Sequence, residues 1–170
     1  MKTRLLFSLS MLGVLQAGAA DPPPDSTGLP SRYSVRLAQL GVDIGTQDEL
    51  VHTVFANDLA VSVRTARQLP YPDGAIIIME FARPVLDADG KPRLEEGRPV
   101  KGDVQRIDIM RRVANPGAFY GDDAAGHWEF SEFAPDGKVL IAPQHARSCA
   151  ACHRKAQDTD FVFRARRLPE

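Results

Sequence analysis

The residues best suited to chemistry lie near the carboxyl end, where Cys149-Ala150-Ala151-Cys152-His153 spells C-x-x-C-H. This is the attachment pattern of a c-type haem. Two thiols at this spacing can add to the two vinyl groups of one porphyrin. The histidine after the second thiol can then set a ring nitrogen beneath the iron, and imidazole ligation sets part of the iron's electronic character. The chain has two cysteines, so the pattern consumes both. On this reading Cys149 and Cys152 bind one haem c covalently, and His153 is the metal ligand.

Other chemistries use similar residues. A thioredoxin-like pair needs C-x-x-C near the start of a βαβ unit, whereas this pair lies close to the chain end. An oxidising destination by itself would favour a disulfide. Zinc could draw on His145, Cys149, Cys152 and His153, but adjacent Cys152 and His153 are awkward around one tetrahedral ion, and structural zinc sites normally use two separated ligand pairs. Haem attachment is favoured over all three.

The elements that must position this motif are read from periodicity and punctuation. Residues 75–82 form the clearest strand, because Ile76-Ile77-Ile78 favours extended chain. Alternation puts Ala75, Ile77, Met79 and Phe81 on one face and Ile76, Ile78 and Glu80 on the other. Residues 104–113 read as a second strand, with Ile107, Ile109 and Val113 opposite Val104 and Met110. Residues 127–133 read as a third, with Trp128 and Phe130 sharing a face. Residues 148–156 read as a helix carrying the haem motif. Residues 31–40 fit a short helix with Tyr33, Leu37 and Leu40 at helical spacing, while 47–56 fits helix or strand. Asn57 or Asp58 can cap a helix through 59–67. Residues 87–102, rich in Gly, Pro and charge, are a solvated excursion. Strands followed by a C-terminal helix, with helices near the start, predict an α+β fold on an antiparallel sheet.

Several side chains on these elements are candidates for the haem environment. Met79 can be a second axial ligand, a contact on the haem wall or ordinary core. Phe81, Trp128, Phe130 and Phe133 can line a pocket or fill the sheet core. Arg83 shares the Met79 face if the strand runs that far, and can pair with a propionate. Arg164, Arg166 and Arg167 form a basic tail that can do the same, meet a redox partner or remain solvated. His52 and His127 read as strand residues without a role.

The amino-terminal segment reads as an export signal. Lys2 and Arg4 precede an apolar run over 5–15, too short to span a bilayer comfortably, and small residues follow through Ala20. A cleaved signal peptide over 1–20 predicts a periplasmic destination. Residues 21–30, with Pro22-Pro23-Pro24, form a leader, and 31–170 a single domain. The whole chain has 21 basic and 22 acidic side chains, and cleavage would remove only basic ones. No basic excess recommends nucleic acid as a partner.

From about Val51 to Phe163 the chain resembles the cytochrome P-460 family, which includes hydroxylamine-oxidising cytochromes and cytochromes c-prime-beta. Asp73-Gly74 before the Ile-rich strand, His127-Trp128-Glu129-Phe130 with Phe133, the haem motif, and Thr159-Asp160-Phe161-Val162-Phe163 after it carry the resemblance. It implies an antiparallel sheet with flanking helices, usually in a homodimer, and a five-coordinate iron open to small nitrogen oxides such as nitric oxide. In hydroxylamine-oxidising members a lysine in the strand after Asp-Gly cross-links to the haem edge. The matching position here is Met79, whose thioether cannot form that nitrogen–carbon link. In those members an acidic residue just before the haem motif assists proton transfer. Here the segment offers Gln144 and His145; His145 can move protons near neutral pH, pair with a propionate or simply sit at the surface. A ligand-binding cytochrome is therefore expected first, with a hydroxylamine or nitrogen-oxide oxidoreductase and a six-coordinate electron carrier as alternatives. The enzyme and the carrier would pass electrons to another cytochrome.

Overall fold

The computed structural model describes residues 28–164. The expected signal segment, most of the leader, Arg166 and Arg167 lie outside the described residues. Among these residues a six-stranded antiparallel sheet forms from β1 (Ala38–Ile44), β2 (Val51–Ala56), β3 (Ile76–Pro84), β6 (Lys101–Arg112), β7 (Trp128–Phe133) and β8 (Val139–Ile141), in the order β1-β2-β3-β6-β7-β8. The excursion before β6 carries a two-stranded ribbon, β4 (Leu94–Glu95) and β5 (Arg98–Pro99). Short helices α1 (Tyr33–Arg36), α2 (Asp58–Val61) and α3 (Arg147–His153) flank the sheet. The α+β expectation with a C-terminal helix therefore holds.

The alternation read along residues 75–81 is what builds two cores. Ala75 and Ile77 join a cluster with Ala56, Met110, Trp128 and Phe130. Ile76 and Ile78 join Phe55, Ile107, Ile109, Phe133 and Tyr33 on the opposite face. That second face also buries Glu80, which accepts a hydrogen bond from Tyr33 Oη at 2.5 Å and pairs with the Lys101 ammonium.

Three sequence expectations change. The helix expected over 31–40 stops at Arg36, because Leu37 turns extended and residues 38–44 pair along β2 instead. Gly41 weakens a helix there, and ladder bonds to the open edge of β2 supply the alternative. Asn57 caps α2 as expected, its side chain accepting from the Ala60 N–H at 3.1 Å. The helix does not continue to 67: Gln68 Oε1 accepts from the N–H groups of Arg64 and Thr65 and draws the chain into a separate 3-10 turn over Ala66–Gln68. Val104 packs with the Ile107 side rather than the Met110 side. The register skips Gln105 between the Phe81–Arg106 and Ala82–Val104 pairs, and such a bulge reverses the facing of what precedes it.

Candidate functional site

Helix α3 is short, and its spacing does the positioning. Ala146, just before it, and Ala150 are fully buried against the first core. Cys149, Cys152 and His153 stand at i, i+3 and i+4, which places them together on one helix face. That face closes a cavity of about 710 Å³ whose opposite wall is the sheet, and all three residues line it. The volume is in the range of cofactor sites. The 3-10 turn Ala118–Asp123 holds α3 in place: Arg147 bonds the Asp123 carboxylate, and Arg154 Nη1 donates to the Asp122 carbonyl at 2.6 Å.

His153 is held in one tautomer. Its Nδ1 lies 2.7 Å from the Phe161 carbonyl oxygen. A carbonyl only accepts, so Nδ1 carries the hydrogen and Nε2 keeps its lone pair free. Burial lowers the imidazole's pKa, against the opposing effect of the Phe161 bond, and so favours the neutral ring. Phe130 and Phe163 contact the ring at centroid distances of 4.7 and 5.0 Å. A neutral imidazole with a free nitrogen, beside two thiols on the wall of an apolar cavity, fits an iron porphyrin attached by thioethers. Burial also raises the pKa of the Cys149 thiol, with Asp108 adding to the effect. Among the described residues no group of three or more His, Cys, Asp or Glu side chains is placed to hold a metal ion.

The sheet wall follows from strand register. Successive cross-strand rows read His52–Phe81–Arg106, Val54–Met79–Asp108–Glu132 and Ala56–Ile77–Met110–Phe130. Met79, Phe81 and Phe130 therefore line the cavity with Cys149, Cys152 and His153. Phe81 is pinned by the Arg106 guanidinium, 3.7 Å from the ring centroid, and by the His52 ring at 4.6 Å.

Other candidates fall elsewhere. Arg83 is exposed and outside the lining, because β3 leaves regular register after Phe81. His145 is exposed on the 3-10 turn Pro143–His145, also outside the lining, so its position gives the expected proton-transfer role no support. Trp128 is fully buried in the core beside the cavity, and Phe133 lies on the opposite face. His127 is exposed, with Nδ1 near the Val113 carbonyl at 3.2 Å. Arg164 donates to the Val63 carbonyl and to Tyr71 Oη, not into the cavity.

The polar residues of the wall include His52, read from the sequence as a strand residue without a role, and Asp48 and Asp108, which were not singled out. His52 lines the cavity with its Nε2 3.0 Å from both carboxylate oxygens of Asp48. Asp108 lines it too, and burial raises its carboxyl pKa to about 6, partly offset by Arg106 and reinforced by Glu132. The available signal for Asp108 was its parity with Met110 in the strand.

The sequence model of the cytochrome P-460 family matches residues 32–164. No curated protein matches the chain. The match spans the whole sheet, the cavity wall and the haem motif, and on that breadth the chain belongs to the cytochrome P-460 family and is a haem-binding cytochrome.

Proposed function

We propose that this chain is a periplasmic mono-haem cytochrome c that binds nitric oxide or a similar small nitrogen oxide. Cys149 and Cys152 would hold the haem through thioethers, and His153 Nε2 would bind its iron. When bound, the haem would supply an iron able to take a small ligand. The observation that carries this reading is the Nδ1–H bond from His153 to the Phe161 carbonyl, because it leaves the Nε2 lone pair free on a residue that lines the cavity with both thiols. Phe81 and Phe130 on the same wall restrict entry to small ligands. Met79 stands where cross-linking relatives carry lysine, which favours ligand binding over hydroxylamine oxidation. The segment 1–20 is the proposed export signal, and no helix among the described residues is long and apolar enough to cross a membrane. Exposed Leu40 on β1, with Val139 and Leu140 on β8, supports a homodimer through sheet edges.

A second reading, a six-coordinate electron carrier working with a redox-partner cytochrome, is favoured by one observation: the Met79 thioether also lines the cavity.

The test is the full chain made with a cytochrome maturation system. Expected are an intact mass increased by one haem, a high-spin ferrous spectrum, and a clear shift on adding carbon monoxide. A colourless product with the bare polypeptide mass sinks the haem reading. A low-spin spectrum indifferent to carbon monoxide transfers the case to the electron carrier. A red-shifted ferrous band with an extra covalent link restores the oxidase.

A further inference from the structure

We infer that Asp160 is a positioning residue for the axial histidine, fixing the Phe161 carbonyl that holds His153 and thereby tuning the iron. The inference rests on His153 being the iron ligand. It goes beyond that reading by naming what sets the ligand's hydrogen bond.

The carbonyl in question sits in an unfavourable stretch of backbone. Asp160 and Phe161 are consecutive left-handed residues, with φ of 51° and 66°. Aspartate tolerates this region, but phenylalanine gains nothing there, and each such residue persists only where its surroundings over-determine it. The surroundings here converge on Asp160. Its Oδ2 accepts from the Tyr71 N–H at 2.9 Å and lies 3.5 Å from Arg112 Nη1; both side chains are about nine-tenths buried, 10% and 11% exposed. Its own carbonyl accepts from Trp128 Nε1 at 2.8 Å. The turn before β3, the end of β6 and the start of β7 thus each tie down the residue that precedes the critical carbonyl. The Phe161 ring is wedged as well, because a Cβ added at Gly126 would meet it at 2.6 Å. None of these groups needs to touch His153 to act on it. A firm Nδ1–H···O=C bond orients the imidazole and raises its basicity toward iron. A loosened one does the reverse, weakening the iron–histidine bond and raising the reduction potential.

The experiment uses the holoprotein and two readouts: the iron–histidine stretching band of the ferrous form by resonance Raman, and the reduction potential. Asp160→Gly keeps the left-handed backbone accessible but removes the side-chain ties. Asp160→Asn retains an acceptor for the Tyr71 N–H. In Asp160→Gly the band is expected to move to lower frequency and broaden while the potential rises, and Asp160→Asn is expected to recover most of both. If Asp160→Gly does not yield holoprotein, Trp128→Phe removes one tie while keeping a ring in the core, and is expected to move both readouts in the same direction by less. A variant with lowered thermal stability but an unchanged band and potential overturns the inference and leaves Asp160 an ordinary structural residue. A wild-type band or potential unaffected by His153→Gly overturns the ligand assignment itself, and the inference with it, so the two failures are separable.

Discussion

Met79 on β3 and Asp108 on β6 face each other across the sheet, and both line the cavity closed by Cys149, Cys152 and His153. The wall therefore sets a thioether beside a carboxyl. At this one row the cavity wall carries a soft sulfur and a carboxyl whose pKa is raised by burial.

That carboxyl makes stability depend on pH in a predictable direction. The folded-state pKa of Asp108, about 6, stands above its ordinary value of 3.8. The folded protein therefore holds this proton more tightly than the unfolded chain does. The contribution is fully present below the ordinary value and is lost as pH rises through 6. Asp108→Asn keeps the shape and never ionises. Its thermal midpoint relative to wild type is expected to improve as pH rises from about 4 to about 6 and then to level off. A difference that shrinks over that interval contradicts the assignment.

Met79 is expected to be a wall residue. Met79→Leu conserves volume and should cost less than about 1.5 kcal/mol. The spin state of both oxidation states is expected to stay as in wild type, read by optical and electron paramagnetic resonance spectra. Conversion of a low-spin wild-type spectrum to high spin by this substitution identifies Met79 as the sixth ligand instead.

His153 can be tested by replacement and return. His153→Gly leaves both thioether cysteines and opens space between Phe130 and Phe163, which contact the ring. The variant should retain covalent haem by denaturing gel, lose the wild-type ferrous spectrum, and regain it with added imidazole. A wild-type spectrum without imidazole rules His153 out as the ligand.

The face of the sheet away from the cavity offers a control. Tyr33 Oη donates to Glu80, which is 4% exposed. Tyr33→Phe removes that donor and should lower unfolding free energy in urea by about 1–3 kcal/mol. Since Ile78, Ile107 and Phe133 occupy that face and His153 the other, the haem spectrum is expected to stay unchanged. A spectral shift comparable to that of a cavity variant would mean the two faces are coupled through the sheet.

The haem motif was legible because its information is local. Cys149, Cys152 and His153 share a face wherever their segment is helical, so the amino-acid order alone suggests their chemistry. The two faces of β3 were legible for the same reason, since strand alternation needs no partner. Strand β1 was hidden because its residues are mostly exposed and it forms only on the free edge of β2. The polar wall was hidden because His52 and Asp108 are brought into the cavity by pairing of strands far apart in sequence. Arg83 and His145 fall outside the cavity lining, one past an irregular register and the other on a short local turn. The amino-acid order by itself thus determined which atoms can bond a porphyrin. Tertiary structure decided which side chains line the cavity beside them, and which carbonyl holds His153, because register, bulges and left-handed residues are settled by contacts between segments and not within them.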